Sequence, residues 1–96
     1  MDINLAKKLI ADVLTTKFGC EFESVPSPQY PRHLNFRSED YHFSFPLTLL
    51  DEAGSKPLEQ KVSHWLQRDF DLIKAGSDVI YSENGEIMIN SVIAEE

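Results

Sequence analysis

The stretch that decides the fold is residues 32–46, which read R-H-L-N-F-R-S-E-D-Y-H-F-S-F-P and contain two alternating runs of apolar and polar residues around a short polar loop. Successive side chains of a β-strand point to opposite faces of the sheet, so this alternation predicts an antiparallel hairpin. A register that pairs Phe36 with Tyr41 places the large apolar side chains on one face. This face consists of Leu34, Phe36, Tyr41, Phe43 and Phe45. An apolar face of this kind requires cover from other elements.

The opposite face of the predicted hairpin is polar and is a candidate binding surface. It carries His33, Asn35, His42 and Ser44. In the same register Arg37 lies opposite Asp40 beside the loop, and a cross-strand pair of opposite charge stabilises such a register. We expect this polar face, together with Glu21 and Glu23 of the preceding segment, to lie in water or against a partner.

Two amphipathic helices are predicted on either side of the hairpin. Apolar residues recur at intervals of three or four over residues 3–18 and again over residues 58–73, which is the period of a helix with one buried face. Gly19 and Gly76 follow these stretches, and glycine readily takes the left-handed conformation that ends a helix. We expect Trp65, on the apolar side of the second helix, to be a core residue.

Polar residues mark the expected start of each helix. Asp2 or Asn4 suits the N-cap of the first helix, because a side-chain oxygen there can accept a hydrogen bond from a free N–H of the first turn. Ser55 or Lys56 is the expected cap of the second helix. Pro57 then falls in its first turn, where the missing N–H leaves no helical hydrogen bond unmade.

Three shorter segments connect these elements. Residues 20–25 alternate and predict a short strand with one wet face. Residues 26–31 contain three prolines and predict a connector, because proline donates no hydrogen bond to a sheet. Residues 47–50 are expected to continue the extended chain after the hairpin.

A second hairpin is predicted where residues 78–82 and 86–93 flank the sequence E-N-G-E. Asn-Gly favours a tight turn because both turn residues must tolerate positive φ. A register with Glu83 opposite Glu86 leaves apolar residues on both faces, and one layer of two helices covers only one face. We therefore expect a homodimer through this hairpin or an adjoining edge. The residues that need cover are Val79, Ile80, Ile87, Ile89 and Ile93.

The predicted order of elements is α-β-β-β-α-β-β. Hairpins dominate, so the sheet is predicted to be mainly antiparallel, and only the connection through the second helix is long enough to permit a parallel neighbour. We predict a single α+β domain over residues 1–96, built as a two-layer sandwich with both helices on the aromatic face of the sheet.

Composition limits the possible functions. The net charge is −7, and residues 38–52 and 77–96 contain neither lysine nor arginine, whereas binding nucleic-acid phosphates requires clustered basic residues. No apolar run is long enough to span a membrane, and the N-terminal residues lack a signal-peptide pattern. The single cysteine, Cys20, cannot form an internal disulfide. We expect a cytoplasmic protein that contacts neither nucleic acid nor membranes.

No motif indicates a reaction, a cofactor or a metal ion. Glycine-rich phosphate loops and nucleophile elbows are absent from the sequence. Cys20 follows the end of a helix, whereas an activated thiol is typical of a helix N-terminus. His33 and His42 are diagonal neighbours in the predicted register, but no ligand spacing accompanies them. We expect no catalytic residue, no cofactor and no metal site.

The sequence therefore favours a small acidic protein-binding module of adaptor, inhibitor or chaperone type that is not an enzyme. The predicted binding residues are those of the polar sheet face and the acids of the loops beside it. They are His33, Asn35, His42, Ser44, Glu39, Asp40, Asp51 and Glu52. Because histidine ordinarily changes charge near neutral pH, contact through His33 or His42 predicts binding that changes between about pH 5.5 and 7.5.

The alternative is an inhibitor that mimics nucleic acid. Residues 38–52 and 77–96 would present carboxylates in place of phosphates to a DNA-binding enzyme, as some phage or mobile-element anti-defence proteins do. Salt distinguishes the two functions, because the affinity of a mimic falls steeply with ionic strength and that of an apolar contact does not.

Overall fold

Two helices and five strands follow the predicted order α-β-β-β-α-β-β, which confirms an α+β fold. The structure is a computed structural model that describes residues 2–25, 33–52 and 54–91. In chain order the helices and strands are α1 (Ile3–Phe18), β1 (Glu23–Ser24), β2 (His33–Arg37), β3 (His42–Pro46), α2 (Ser55–Arg68), β4 (Ser77–Tyr81) and β5 (Ile87–Ser91).

The ends of α1 are those that the sequence predicts. The Asp2 carboxylate accepts a hydrogen bond from the Leu5 N–H at 3.2 Å, which satisfies one of the free donors of the first turn. Gly19 adopts φ 73° and donates its N–H to the Thr15 carbonyl, so the helix ends where only glycine takes this conformation without cost.

The five strands form one sheet in the order β1-β2-β3-β4-β5. The β1–β2, β2–β3 and β4–β5 pairs are antiparallel, whereas β3 and β4 are parallel. The parallel pair is the one that α2 connects, because a crossover between parallel strands needs a long connection. The prediction of a mainly antiparallel sheet with one parallel neighbour is confirmed.

The predicted register of the β2–β3 hairpin is wrong by two residues. Phe36 pairs with Phe43 rather than Tyr41, and Arg37 pairs with His42. A shift of two residues leaves every side chain on its predicted face, because side chains alternate with a period of two. The aromatic face is therefore retained although the pairing differs.

Ser38 explains this register. Its hydroxyl accepts hydrogen bonds from the N–H groups of Asp40 and Tyr41, at 3.3 and 3.1 Å, and its own N–H donates to the Tyr41 carbonyl. A serine side chain that bonds the backbone two or three residues ahead stabilises a turn at its own position. The tight turn therefore spans Ser38 to Tyr41, and Arg37 lies opposite His42 instead of Asp40.

Both helices contact the aromatic face of the sheet. The ring of Phe18 in α1 lies 5.2 Å from that of Phe43, and Trp65 in α2 lies 5.3 Å from Tyr81. Phe43 and Tyr81 share this face, because Phe43 pairs with Val79 of β4. Trp65 is buried, which confirms its predicted place in the core.

The second helix begins and ends at positions that differ from the prediction. Its N-cap is Gly54, and Pro57 lies in the first turn as predicted. The helix ends at Arg68, with Asp69 as C-cap, and a short 3-10 segment covers Phe70–Leu72. The apolar residues beyond Arg68 continue the helical spacing, but the contacts of Arg68 and Asp69 described below hold the chain in a different conformation.

The residues that follow β3 also differ from the prediction. Leu47–Asp51 forms a 3-10 helix rather than extended chain. Its turn places Leu49 in the core, where this side chain is 1% exposed. Burial of a leucine contributes about 2 kcal/mol, which favours the turn over an extension of the strand.

The register of the β4–β5 hairpin is wrong by one residue, so the predicted faces are exchanged. The Ser82 N–H donates to the Glu86 carbonyl at 2.9 Å, and three residues form the loop. Gly85, at φ 81°, is the loop residue at positive φ, as in a type I turn with a bulge. Tyr81 therefore pairs with Ile87 instead of Met88.

Gly85 also packs against the core. A Cβ atom at this position would lie 2.6 Å from the indole ring of Trp65. This tertiary contact helps to select the three-residue loop over the tighter turn that Asn-Gly favours. As a result Tyr81 and Ile87 pack in or against the core, while Ile80 and Met88 share the opposite face.

Candidate binding surface

The middle of the predicted polar face is buried. Asn35 and Ser44 pair directly across β2 and β3, and they are 4% and 0% exposed. The Ser44 hydroxyl donates to Asn35 Oδ1 at 2.6 Å, and Asn35 Nδ2 donates to the His33 carbonyl at 3.1 Å. The expectation that Asn35 and Ser44 lie in water is wrong, because the two side chains satisfy each other inside the protein. Their predicted role in binding stays a prediction, and the two side chains present little surface to a partner.

The two histidines of this face lie at opposite ends of the hairpin. His33 pairs with Pro46, whereas His42 pairs with Arg37. The two pairs are four residue steps apart along the strand, which corresponds to roughly 13 Å. His33 and His42 therefore cannot share one metal ion, and the described residues contain no group of three His, Cys, Asp or Glu side chains that could hold one.

His42 lies beside an acid of the neighbouring strand. Its Nδ1 is 3.6 Å from Oδ1 of Asp78, the residue that pairs with it across β3 and β4. This nitrogen is buried and makes no hydrogen bond to any residue that the structure describes. Both side chains are partly exposed, at 20% and 28%. His42 is thus the histidine that lies closest to the acids of the turn.

Two open concavities adjoin at the β2–β3 turn. One, of 400 Å³, lies on the β1 side, and the other, of 340 Å³, lies on the β4 side. Arg37, Ser38 and Glu39 line both of them. We call their combined lining the acidic loop surface. Its charged residues are Glu21, Glu23, Arg37, Glu39, Asp40 and Asp78.

The acidic loop surface has a strong excess of negative charge. Five carboxylates from three segments of the chain surround one guanidinium, that of Arg37. Arg37 Nη2 lies 3.8 Å from Glu23 Oε2, and both side chains are largely exposed. A single exposed ion pair is weak, so the remaining carboxylates are available to an external cation.

A row of aromatic rings adjoins this surface. Tyr41, the last residue of the turn, lies 4.9 Å from Phe18, and Phe18 lies 5.5 Å from Phe70. Phe70 and Leu72 are 46% and 54% exposed, although both are large apolar side chains. We call Tyr41, Phe18 and Phe70 the aromatic strip. Acidic and apolar groups therefore meet at the turn.

The remaining predicted binding residues lie elsewhere. Asp51 and Glu52 follow β3, whereas Glu39 and Asp40 precede it, so the strand separates the two acidic pairs. Oε2 of Glu52 lies 2.9 Å from the Lys61 ammonium on α2. The structure thus joins Glu39, Asp40 and His42 in one surface but not Asp51 and Glu52.

A charged cluster that the sequence does not indicate joins α2 to the β4–β5 loop. Arg68 binds Asp69 in a bidentate pair, at 3.0 Å from Nε to Oδ1 and 2.6 Å from Nη2 to Oδ2, and Nη2 also donates to the Gly85 carbonyl. The Tyr81 hydroxyl donates to the Trp65 carbonyl at 3.4 Å. Burial raises the pKa of the Tyr81 phenol well above its ordinary range, and the Asp69 carboxylate raises it further.

This cluster is structural in character. Asp69 is buried, whereas the side chain of Arg68, which binds it and the Gly85 carbonyl, is partly exposed. The hydrogen bond to Asp69 also raises the pKa of Arg68, so the guanidinium remains charged over the ordinary pH range. The other candidate for chemistry, Cys20, is a free and partly buried cysteine.

Part of this surface comes from distant segments of the chain. Glu21 and Glu23 were expected with the polar face, but none of Glu21, Glu23 and Asp78 was among the predicted binding residues. They join the surface only because β1 and β4 flank the hairpin. Phe70 was predicted to be part of the apolar side of α2. The exposure of Phe70 could have been predicted from the run F-D-L at 70–72, in which apolar and acidic residues alternate after the buried part of the helix.

Comparison of the chain with protein-family models, with curated proteins and with solved structures finds no match. Within the described residues no helix has both the length and the apolar content that crossing a membrane requires.

Proposed function

We propose that this protein is a small, acidic, cytoplasmic protein-binding module without catalytic activity, of adaptor, inhibitor or chaperone type. Its binding site is the acidic loop surface together with the aromatic strip. The observation that supports this proposal is that five carboxylates line the β2–β3 turn, where Tyr41 begins a row of rings that leads through Phe18 to half-exposed Phe70.

The chemistry of the surface defines its partner. Carboxylates around one arginine attract a basic protein surface and accelerate its association. Exposed apolar side chains beside them supply the contact that gives affinity once water is displaced. We therefore propose a partner segment that has two or more lysine or arginine side chains next to an aromatic or aliphatic residue.

Charge reversal in two matched positions tests the proposal. The double variant Glu39→Lys/Asp40→Lys changes the acidic loop surface, and Asp51→Lys/Glu52→Lys makes the same change of net charge at the other end of β3. Partners captured from the native host are purified and titrated against each variant by calorimetry. The first variant should weaken binding at least about tenfold, and the second by less than about threefold.

The controls keep folding and binding separate. Exposed loop acids, and partly exposed ion pairs such as Glu52–Lys61, contribute little to stability, so both variants should keep the circular dichroism spectrum of the wild type. Equal affinity of the wild type and Glu39→Lys/Asp40→Lys would contradict the proposal. Equal loss of affinity in both double variants would indicate that net charge, not this surface, determines binding.

The nucleic-acid mimic remains the second candidate, because carboxylates on both sides of one turn also resemble a row of phosphates. The double variant Phe70→Ser/Leu72→Ser separates the two functions. It should weaken binding to a basic protein segment, whereas a DNA-binding enzyme held by carboxylates alone should bind this variant like the wild type and lose affinity steeply with salt.

A further inference from the structure

The two edges of the sheet differ in how well they are protected. A sheet edge has unpaired N–H and C=O groups that can pair with another chain, and proteins protect it with short strands and charged residues. The β1 edge has both protections, since β1 has two residues and one of them is Glu23. The β5 edge has neither, since Ile87–Ser91 is five residues long and contains no charge and no proline.

Side chains on β5 are exposed on both faces of the sheet. Met88 is 57% exposed on the face that it shares with Ile80, and Ile89 is 37% exposed on the face of Val79. Large apolar side chains beside an open edge mark a surface that another chain covers. This observation does not depend on the acidic loop surface, which lies at the β2–β3 turn.

The hydrogen bonds of the hairpin show which main-chain groups face outward. The Ser82 N–H donates to the Glu86 carbonyl. Hydrogen-bonded pairs recur at every second residue of an antiparallel ladder, so Met88 bonds to Ile80. The main-chain groups of Ile87, Ile89 and Ser91 therefore point away from β4, and no other strand of the described residues lies beyond them.

We propose that the β5 edge pairs with β5 of a second copy of this chain, antiparallel and about a two-fold axis at Ile89. In this register Ile89 faces Ile89 of the second copy, and Ile87 faces Ser91. The outward groups of the two strands then form about six main-chain hydrogen bonds. The two sheets become one sheet of ten strands.

The positions of the charges favour the antiparallel over the parallel orientation of a second copy. An uncharged strand neither repels its own copy nor selects a basic partner. The turn before β5 contains Glu83 and Glu86, and antiparallel pairing places the two acidic turns at opposite ends of the interface. Parallel pairing would set them side by side. Because each chain has a net charge of −7, salt should strengthen the dimer, whereas it should weaken binding at the acidic loop surface.

Amide hydrogen exchange of the wild-type protein, followed together with sedimentation, tests the pairing without a mutation. The Met88 N–H bonds to β4 in both states and serves as the internal control. As the protein sediments at twice its 11.0 kDa mass, the Ile89 N–H should exchange at least about tenfold more slowly, while the Met88 N–H changes little. A monomer at about 1 mM, or a dimer with unchanged Ile89 exchange, would overturn the proposal.

Charged variants at Ile89 test the two-fold axis. Ile89→Lys and Ile89→Glu each place like charges opposite each other and should be monomeric, whereas a mixture of the two should form a dimer again. Ser24→Lys changes the β1 edge and should leave the wild-type dimer intact. Self-association of either Ile89 variant alone, or failure of two folded variants to associate when mixed, would contradict the proposed register. If the variants do not fold, the exchange experiment still decides.

Discussion

The β2–β3 hairpin is enclosed on both edges, whereas the β4–β5 hairpin has an open edge at β5. The difference extends to the face of the sheet opposite the aromatic face. On that face the central hairpin buries Asn35 and Ser44, while the C-terminal hairpin exposes Met88. Two segments with similar alternating sequences thus have different surroundings.

This comparison teaches that the strands and the turn of a hairpin can serve different purposes. Both strands of the central hairpin pair with a strand on each side, so the part of this hairpin that can bind a partner is its turn. The C-terminal hairpin is the reverse case. Gly85 of its loop packs on Trp65, and within the described residues no strand pairs with the outer side of β5.

The largest expected effect is at Phe43 in the central hairpin. This side chain is fully buried and contacts the rings of Phe18, Phe22 and Phe45. Phe43→Ala should lower the free energy of unfolding by about 3–5 kcal/mol, measured by denaturant titration. Met88→Ala, on exposed β5, should lower it by less than about 1 kcal/mol. A similar loss of unfolding free energy in both variants would contradict the difference in burial between the two hairpins.

Next in size is the effect of Gly85→Ala in the C-terminal hairpin. The new Cβ would meet the Trp65 ring at a residue with φ 81°, so steric overlap adds to backbone strain. We expect a loss of about 2–4 kcal/mol. Gly19→Ala is the matched control, because Gly19 has φ 73° and open space around it. Its cost should be about 1 kcal/mol, and equal costs would show that the Trp65 contact is unimportant.

A smaller effect is expected from the buried polar pair. Ser44→Ala removes the donor to Asn35 Oδ1 without a large change in volume. Loss of a hydrogen bond at a buried acceptor should cost about 1–2 kcal/mol of unfolding free energy. An unchanged stability would mean that this part of the sheet face is open to water, as the sequence had predicted.

The smallest effect concerns Tyr81 and appears at alkaline pH. Because its pKa is raised in the folded protein, its contribution to stability is complete below about pH 10, where the phenol of the unfolded chain begins to lose its proton. The free energy of unfolding should then fall as pH rises further. Tyr81→Phe should cost about 1 kcal/mol at neutral pH and should fall less steeply above pH ~10. Equal alkaline slopes would contradict the raised pKa.

Local patterns were sufficient to predict the helices and the faces of the central hairpin. The cap at Asp2, the glycine at the end of α1 and the alternation of residues 32–46 are signals that neighbouring residues supply. The register of that hairpin depends on the Ser38 hydroxyl, whose bonds to the turn are also local. This signal is present in the sequence, although the predicted register does not use it.

The features that local sequence patterns did not predict depend on contacts between residues far apart in the chain. The end of α2 and the loop at Gly85 depend on Arg68, Asp69 and Trp65, which meet only in the folded chain. The alternation of apolar and polar residues along a strand also does not show whether two polar side chains bond to each other, as Asn35 and Ser44 do. For the same reason the acidic loop surface was predicted only in part, through Glu39, Asp40 and His42.

The most direct test of the difference between the hairpins is amide hydrogen exchange of the wild-type protein at a dilution where it sediments as a monomer. The N–H groups of Phe43 and Ser44 should exchange only through global unfolding, because β3 has a strand on each side. The Ile89 N–H should exchange faster by orders of magnitude, while that of Met88 beside it stays protected. Protection of Ile89 equal to that of Met88 in the monomer would show that the chain itself closes this edge, and would contradict the account.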